Sequence, residues 1–158
     1  MSIEFSFTQT AEEVFDLFCD PDFLVERSMA LGEVSADAEI DEDDKGKVII
    51  TMRREVKRDL PSFLAKVFNP QQILNLREEW QQIGSNFIGK GEFTVEGQPV
   101  SVKTEFTLKN TDNGCVFTAK YHPKAKIPLI GGRVEKYIES NCFEGVTKEV
   151  DFTKTKFA

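Results

Sequence analysis

The apolar residues of this chain keep two different periods, and the switch between them limits the fold more than any other feature. From Val34 to Tyr121 they recur mostly at every second position, as on the buried face of extended strands. From Gly132 onward they recur every three or four positions, at Val134, Ile138, Cys142, Val146, Val150, Thr153 and Phe157. Tyr137, Phe143 and Gly145 flank that stripe. Glu135, Lys136, Glu139, Lys148, Glu149 and Lys154 fall on the other side, which predicts a long amphipathic helix. A sheet with one apolar face needs a cover, and the terminal helix is the only element long enough to supply it.

The alternating region divides at its turns. Val34, Ala36, Ala38 and Ile40 precede an acidic turn over 41–46, and Val48, Ile50, Met52 and Val56 follow it. Leu74, Leu76 and Trp80 lead to a turn at 84–86, then Phe87, Phe93 and Val95 to a hairpin at 96–99. Val100, Val102, Phe106 and Leu108 come next, and a turn over 110–114 precedes Phe117, Ala119 and Tyr121. Ahead of this meander, Ile3, Phe5 and Phe7 alternate with Glu4 and Ser6 in one more strand. Thr10 and Glu13 then form a capping-box pattern before Val14, Phe15, Leu17 and Phe18. Asp20-Pro21 restarts a helix through Phe23, Leu24, Arg27 and Leu31, and Gly32 ends it. The order predicts an α+β fold: a curved seven-stranded antiparallel sheet around a long C-terminal helix, with two short helices after the first strand. All 158 residues fit a single domain.

Composition excludes several roles. A net charge of −7 argues against nucleic acid as a partner, since phosphate backbones demand clustered Lys and Arg. Fourteen Phe against two Tyr and one Trp suit a large, dry interior. Cys19, Cys115 and Cys142 lie far apart and read as buried thiols in a reducing compartment. The N-terminal residues carry no leader pattern and no run reaches the roughly 20 apolar residues of a membrane span, so a cytoplasmic location is expected. One His and scattered Cys leave no metal site of usual composition, and no cofactor motif occurs. His122 shares the outer face with Thr118, Lys120 and Lys124, where it is expected to be solvated.

Three stretches carry a resemblance: Asp20-Pro21-Asp22-Phe23; Arg58-Asp59-Leu60-Pro61 with Glu78-Glu79-Trp80; and Lys126 to Lys136, which contains Pro128-Leu129-Ile130-Gly131-Gly132. With the order of elements, they resemble the START-like superfamily of lipid-transfer domains, polyketide cyclases and plant ligand-binding allergens. Within it the chain is most similar to the bacterial family known as domain of unknown function 2505. The resemblance spans essentially the whole chain and implies a helix-grip fold with a cavity for an apolar small molecule. It supplies no catalytic motif, and fold alone does not fix function.

Alternation nominates the cavity lining: Met52, Arg54, Glu78, Trp80, Phe87, Phe106, Phe117 and Tyr121 from strands, Val134 and Ile138 from the helix. Ala36, Ala38, Gly89, Gly91 and Ala119 are small inward positions, each of which must be filled by a neighbour or leave a void costing about 2–5 kcal/mol. They suggest a pocket that a ligand fills; alternatively Phe5, Phe7, Phe87, Phe93, Phe106 and Phe117 fill it themselves. Arg54 and Glu78 both point inward, where unpaired charge is costly, so they are expected to pair or to meet a ligand head group unless a bulge returns one to solvent. Between two strands, Leu60, Phe63, Leu64, Val67 and Phe68 form a helical stripe capped by Asp59 and Pro61 and ended before Pro70. This segment is expected to close the cavity mouth. With Arg53, Lys57, Arg58 and Lys66 nearby, it is also the candidate for transient contact with a membrane or a protein. The leading expectation is a binder or carrier of a hydrophobic molecule without catalytic residues. The rivals are a cyclase or hydrolase using a Glu78 free of Arg54, and an interaction module built on 59–70.

Overall fold

The computed structural model describes residues 2–158. Strand β1 (Ser2–Phe7) is followed by α1 (Ala11–Phe18) and α2 (Pro21–Ala30). The capping box forms as expected: Thr10 Oγ1 accepts from the Glu13 backbone N–H, and the Glu13 carboxylate accepts from the Thr10 N–H. Asp20 caps α2 with Pro21 in its first turn, and Gly32, at φ 89°, takes the left-handed conformation just beyond it. Strands β2 (Ser35–Glu42) and β3 (Val48–Lys57) form the next hairpin. A single turn of helix, α3 (Ser62–Ala65), precedes β4 (Gln71–Ile83), β5 (Asn86–Val95), β6 (Val100–Thr111) and β7 (Gly114–Ala125). Helix α4 (Gly131–Thr155) closes the chain.

The seven strands form one antiparallel curved sheet in the order β1-β7-β6-β5-β4-β3-β2. Its concave face wraps α4, giving the helix-grip arrangement. The large core buries Phe7, Val14, Phe15, Phe18, Trp80, Phe87, Leu108 and Phe117 together with Val146 and Val150 of α4. A second cluster joins Leu64 and Phe68 to Val100, Ala125 and Val134.

Three local expectations need correction. The helix at 59–68 is one turn long, with Pro61 at its N-cap and Asp59 uninvolved in capping. Four residues cannot offset the cost of helix nucleation; the burial of Leu64 and Phe68 holds the turn instead. Phe157 lies beyond the end of α4, yet its ring still packs edge-on against Phe7, 6.5 Å between centroids. Glu149 is not on the outer side of α4; it turns toward the sheet.

Candidate functional site

A cavity of about 140 Å³ lies between the sheet, α3 and the middle of α4. Leu74, Leu76, Phe93, Val95, Val100 and Phe106 form its sheet wall, while Ile138, Cys142, Gly145 and Val146 form the helix wall. Leu60, Leu64 and Phe68 close one end. A smaller void of about 70 Å³ continues toward α2, and the two share Arg54, Leu76, Glu78, Phe106, Tyr121, Val146 and Glu149.

Of the residues nominated from the sequence, Arg54, Glu78, Phe106, Tyr121 and Ile138 line the larger cavity, with Leu60, Leu64 and Phe68 of the lid segment. Met52, Trp80 and Phe117 touch only the smaller void. Phe87 and Val134 line neither: Phe87 stacks on Phe15 at 4.2 Å, and Val134 belongs to the second cluster. Phe63 is outside the cavity as well, edge-on to Tyr137 and with the Arg133 guanidinium 3.8 Å from its ring centroid. Val67 faces away, 39% exposed. The small inward residues do not create the space either. A Cβ on Gly89 would sit 2.6 Å from the Trp80 ring, so that glycine makes room for an indole. The cavity instead opens where α4 presents Asn141, Cys142 and Gly145 to the sheet.

Arg54 and Glu78 both point inward, as alternation requires, but they do not pair with each other. Arg54 donates from Nε to Glu33 Oε1 at 2.9 Å and from Nη2 to Glu33 Oε2. Its Nη2 also lies 3.3 Å from Glu149 Oε2. Arg27 joins the group, 3.8 Å from Glu149 Oε1 and bonded to Thr153 Oγ1. Burial disfavours the Arg54 charge, but the Glu33 hydrogen bond and the Glu149 charge outweigh it and hold the guanidinium protonated. Two arginines thus balance two carboxylates, tying α2, β3 and α4 together.

Glu78 has a different partner. Its Oε1 accepts a 3.0 Å hydrogen bond from Trp80 Nε1. Burial pushes its carboxyl above the usual range, against the opposing pull of that bond and of Arg27. Burial likewise raises the Tyr121 hydroxyl well above its ordinary value. The Cys142 thiol goes up to about 12, again through burial, so it is no nucleophile at neutral pH. Beside Glu78 lies Thr104, 4% exposed, whose Oγ1 is buried without a hydrogen-bond partner. Sequence reading missed Thr104, Glu33 and Glu149. Strict alternation from Val102 to Phe106 turns Thr104 inward, and the spacing from Val146 puts Glu149 on the buried stripe. No periodic rule reaches Glu33, which sits in a loop.

Elsewhere, His122 faces outward, where its Nε2 lies 2.7 Å from Glu105 Oε2. Among the described residues no cluster of three or more His, Cys, Asp or Glu could hold a metal ion. No helix there is long and apolar enough to cross a membrane.

The family described as Protein of unknown function (DUF2505) matches residues 2–156. The chain belongs to that family. Solved structures share the fold of this family member at low identity. An uncharacterised protein from Rhizobium leguminosarum is 15% identical with a TM-score of 0.56, covering 98% of this chain and 91% of its own. A conserved protein from Geobacillus kaustophilus is 17% identical at the same TM-score and the same coverage. A protein from Chromobacterium violaceum is 15% identical with a TM-score of 0.54, covering 98% and 94%. Comparison with curated proteins gives no match.

Proposed function

We propose that this chain binds a hydrophobic small molecule between the sheet and α4 and acts as a carrier or sensor. The observation that carries the reading is the cavity itself: mostly aliphatic and aromatic walls with a few polar groups converging at its inner side, the common pattern of ligand pockets. A dry cavity of about 150 Å³ takes up benzene, so the space here suits a compact ring or a short chain. Longer lipids would need α3 to move. Support for the 59–70 segment as that cover comes from its single helical turn without a side-chain cap, anchored by Leu64 and Phe68. Those two side chains turn inward, which favours a cover over a membrane-inserting tip.

The test is to extract purified protein with organic solvent and identify what is released by mass spectrometry. A hydrophobic compound at close to one per chain is the expected result. An empty extract, with no thermal shift across a hydrophobic library, overturns the reading. One observation favours a second role: Glu78 makes no ion pair with Arg54 and its carboxyl is shifted upward by burial, as a general acid acting on an apolar substrate requires. Loss of turnover in Glu78→Gln with binding retained would distinguish that enzyme from a carrier.

A further inference from the structure

The polar side of the cavity carries a row of residues that spans three strands. Glu78, Gly91 and Thr104 form one row across β4, β5 and β6, each opposite the next. A Cβ on Gly91 would lie 2.8 Å from Glu78 Cγ and 2.9 Å from Thr104 Oγ1, so both side chains crowd over the glycine. The glycine lets them approach one another at the cavity wall. Glu78 has its Oε1 occupied by Trp80, and Thr104 has no partner at all. A buried hydroxyl without a partner costs free energy that a matching ligand group recovers.

The nearest cation offers nothing to an acidic ligand. Arg54 is shared between Glu33 and Glu149, and Arg27 leans on Glu149, so the four charges cancel. A carboxylate entering beside Glu78 and Glu149 would be buried where both nearby guanidiniums, Arg54 and Arg27, are already paired. Arg58 is the remaining cation in the lining, to which Asn141 also contributes.

Building on the proposed ligand-binding role, we propose that the occupant is a small uncharged molecule, an apolar body carrying one hydroxyl or carbonyl, whose polar group bonds to Thr104 and Glu78, and that the cavity discriminates against carboxylates. The hydroxyl of Thr104 can donate to a carbonyl or accept from an alcohol, so either group satisfies it. The apolar body then lies along Leu74, Phe93, Phe106 and Ile138.

Toluene, benzyl alcohol and benzoate share one carbon skeleton and differ only in the group presented. Titrating each into ¹⁵N-labelled protein at neutral pH, with amide shifts read by NMR, should rank benzyl alcohol tightest and benzoate weakest. A preference of about three- to tenfold for the alcohol over toluene is expected for one hydrogen bond. Thr104→Val should abolish that preference while the unliganded protein is no less stable, because the substitution removes an unpartnered hydroxyl. Thr104→Ser, which keeps the hydroxyl, should retain the preference and guards against misfolding of the valine variant. Benzoate binding as tightly as benzyl alcohol, with the affinity lost in Arg58→Met, would place the polar end at Arg58 and overturn the proposal while leaving ligand binding intact. An alcohol preference that survives Thr104→Val also overturns it. Binding of none of the three would overturn both this assignment and the ligand-binding role.

Discussion

The interior has two halves built on one sheet and one helix, and they are filled to different degrees. Where α1 and α2 add a layer, stacked rings leave only the void of about 70 Å³. Phe15 stacks on Phe87, Trp80 lies parallel to Phe106 at 5.7 Å, and Phe117 continues the stack at 5.6 Å from Phe106. Gly89 sits in this filled half, its missing side chain replaced by the Trp80 indole. Under α3 the sheet offers Leu, Val and Phe93, the helix offers Cys142 and Gly145, and a cavity persists. The contrast teaches that small residues do not by themselves make a pocket. Space survives where no large side chain on the facing element can reach it.

The sharpest way to break this contrast is to truncate one large residue in each half. Trp80→Ala should cost about 3–5 kcal/mol in urea denaturation, since the indole is 2% exposed, contacts Phe15, Phe18 and Phe106, and is the hydrogen-bond partner of Glu78. Leu74→Ala, at the edge of existing space, should cost less, about 2 kcal/mol. Equal losses would mean that the two halves are packed alike.

The ion group between the halves gives the next largest effect. Arg54→Met should destabilise by about 2–3 kcal/mol, because it leaves Glu33 and Glu149 facing each other with side chains only 10% and 21% exposed. Glu78→Gln under the same conditions keeps its acceptor for Trp80 and should not reproduce that loss. A neutral result for Arg54→Met would show that the carboxylates find other partners.

One substitution should have opposite signs in the two halves. Gly89→Ala drives a methyl against the indole and should cost about 1–3 kcal/mol. Gly145→Ala lies in α4 with open space around its Cβ, and should gain about 0.5–1 kcal/mol from helix propensity. Thermal unfolding of both variants reads the difference directly, and a loss at position 145 would argue against open space there.

The smallest effect depends on pH. Below about pH 4.3 Glu78 is protonated in both the folded and the unfolded chain and contributes no difference. As pH rises past that value the unfolded chain ionises while the buried carboxyl keeps its proton, so this residue's contribution to stability falls until the folded group also ionises. Glu78→Gln should therefore gain on the wild type as pH rises above about 4.3. A gap that stays constant with pH would mean that Glu78 ionises normally within the fold.

Strands and the terminal helix were legible because their periods are long and regular. Both caps near the N-terminus were legible because Thr10, Glu13, Asp20 and Pro21 act within one turn. What the sequence concealed was reach across elements. The Arg54 partner comes from a loop, Glu33, and from a helix residue assigned outward merely for its charge, Glu149. The apolar stripe over 60–68 predicted a longer helix than one turn, because two prolines and burial of two side chains set its length rather than periodicity. The sequence reading drew the lining largely from aromatic strand positions, whereas Leu74, Phe93, Asn141, Cys142 and Gly145 also face the cavity.

The strand order leaves β1 and β2 unpaired on their outer sides. On β2 the exposed positions are Asp37, Glu39, Asp41 and Glu42. A strand edge without a strand partner is a template for chain-to-chain zippering, and a row of like charges is a common defence against it. Two copies approaching by their β2 edges would bring acid against acid, so at neutral pH like-charge repulsion opposes the pairing of β2 with β2.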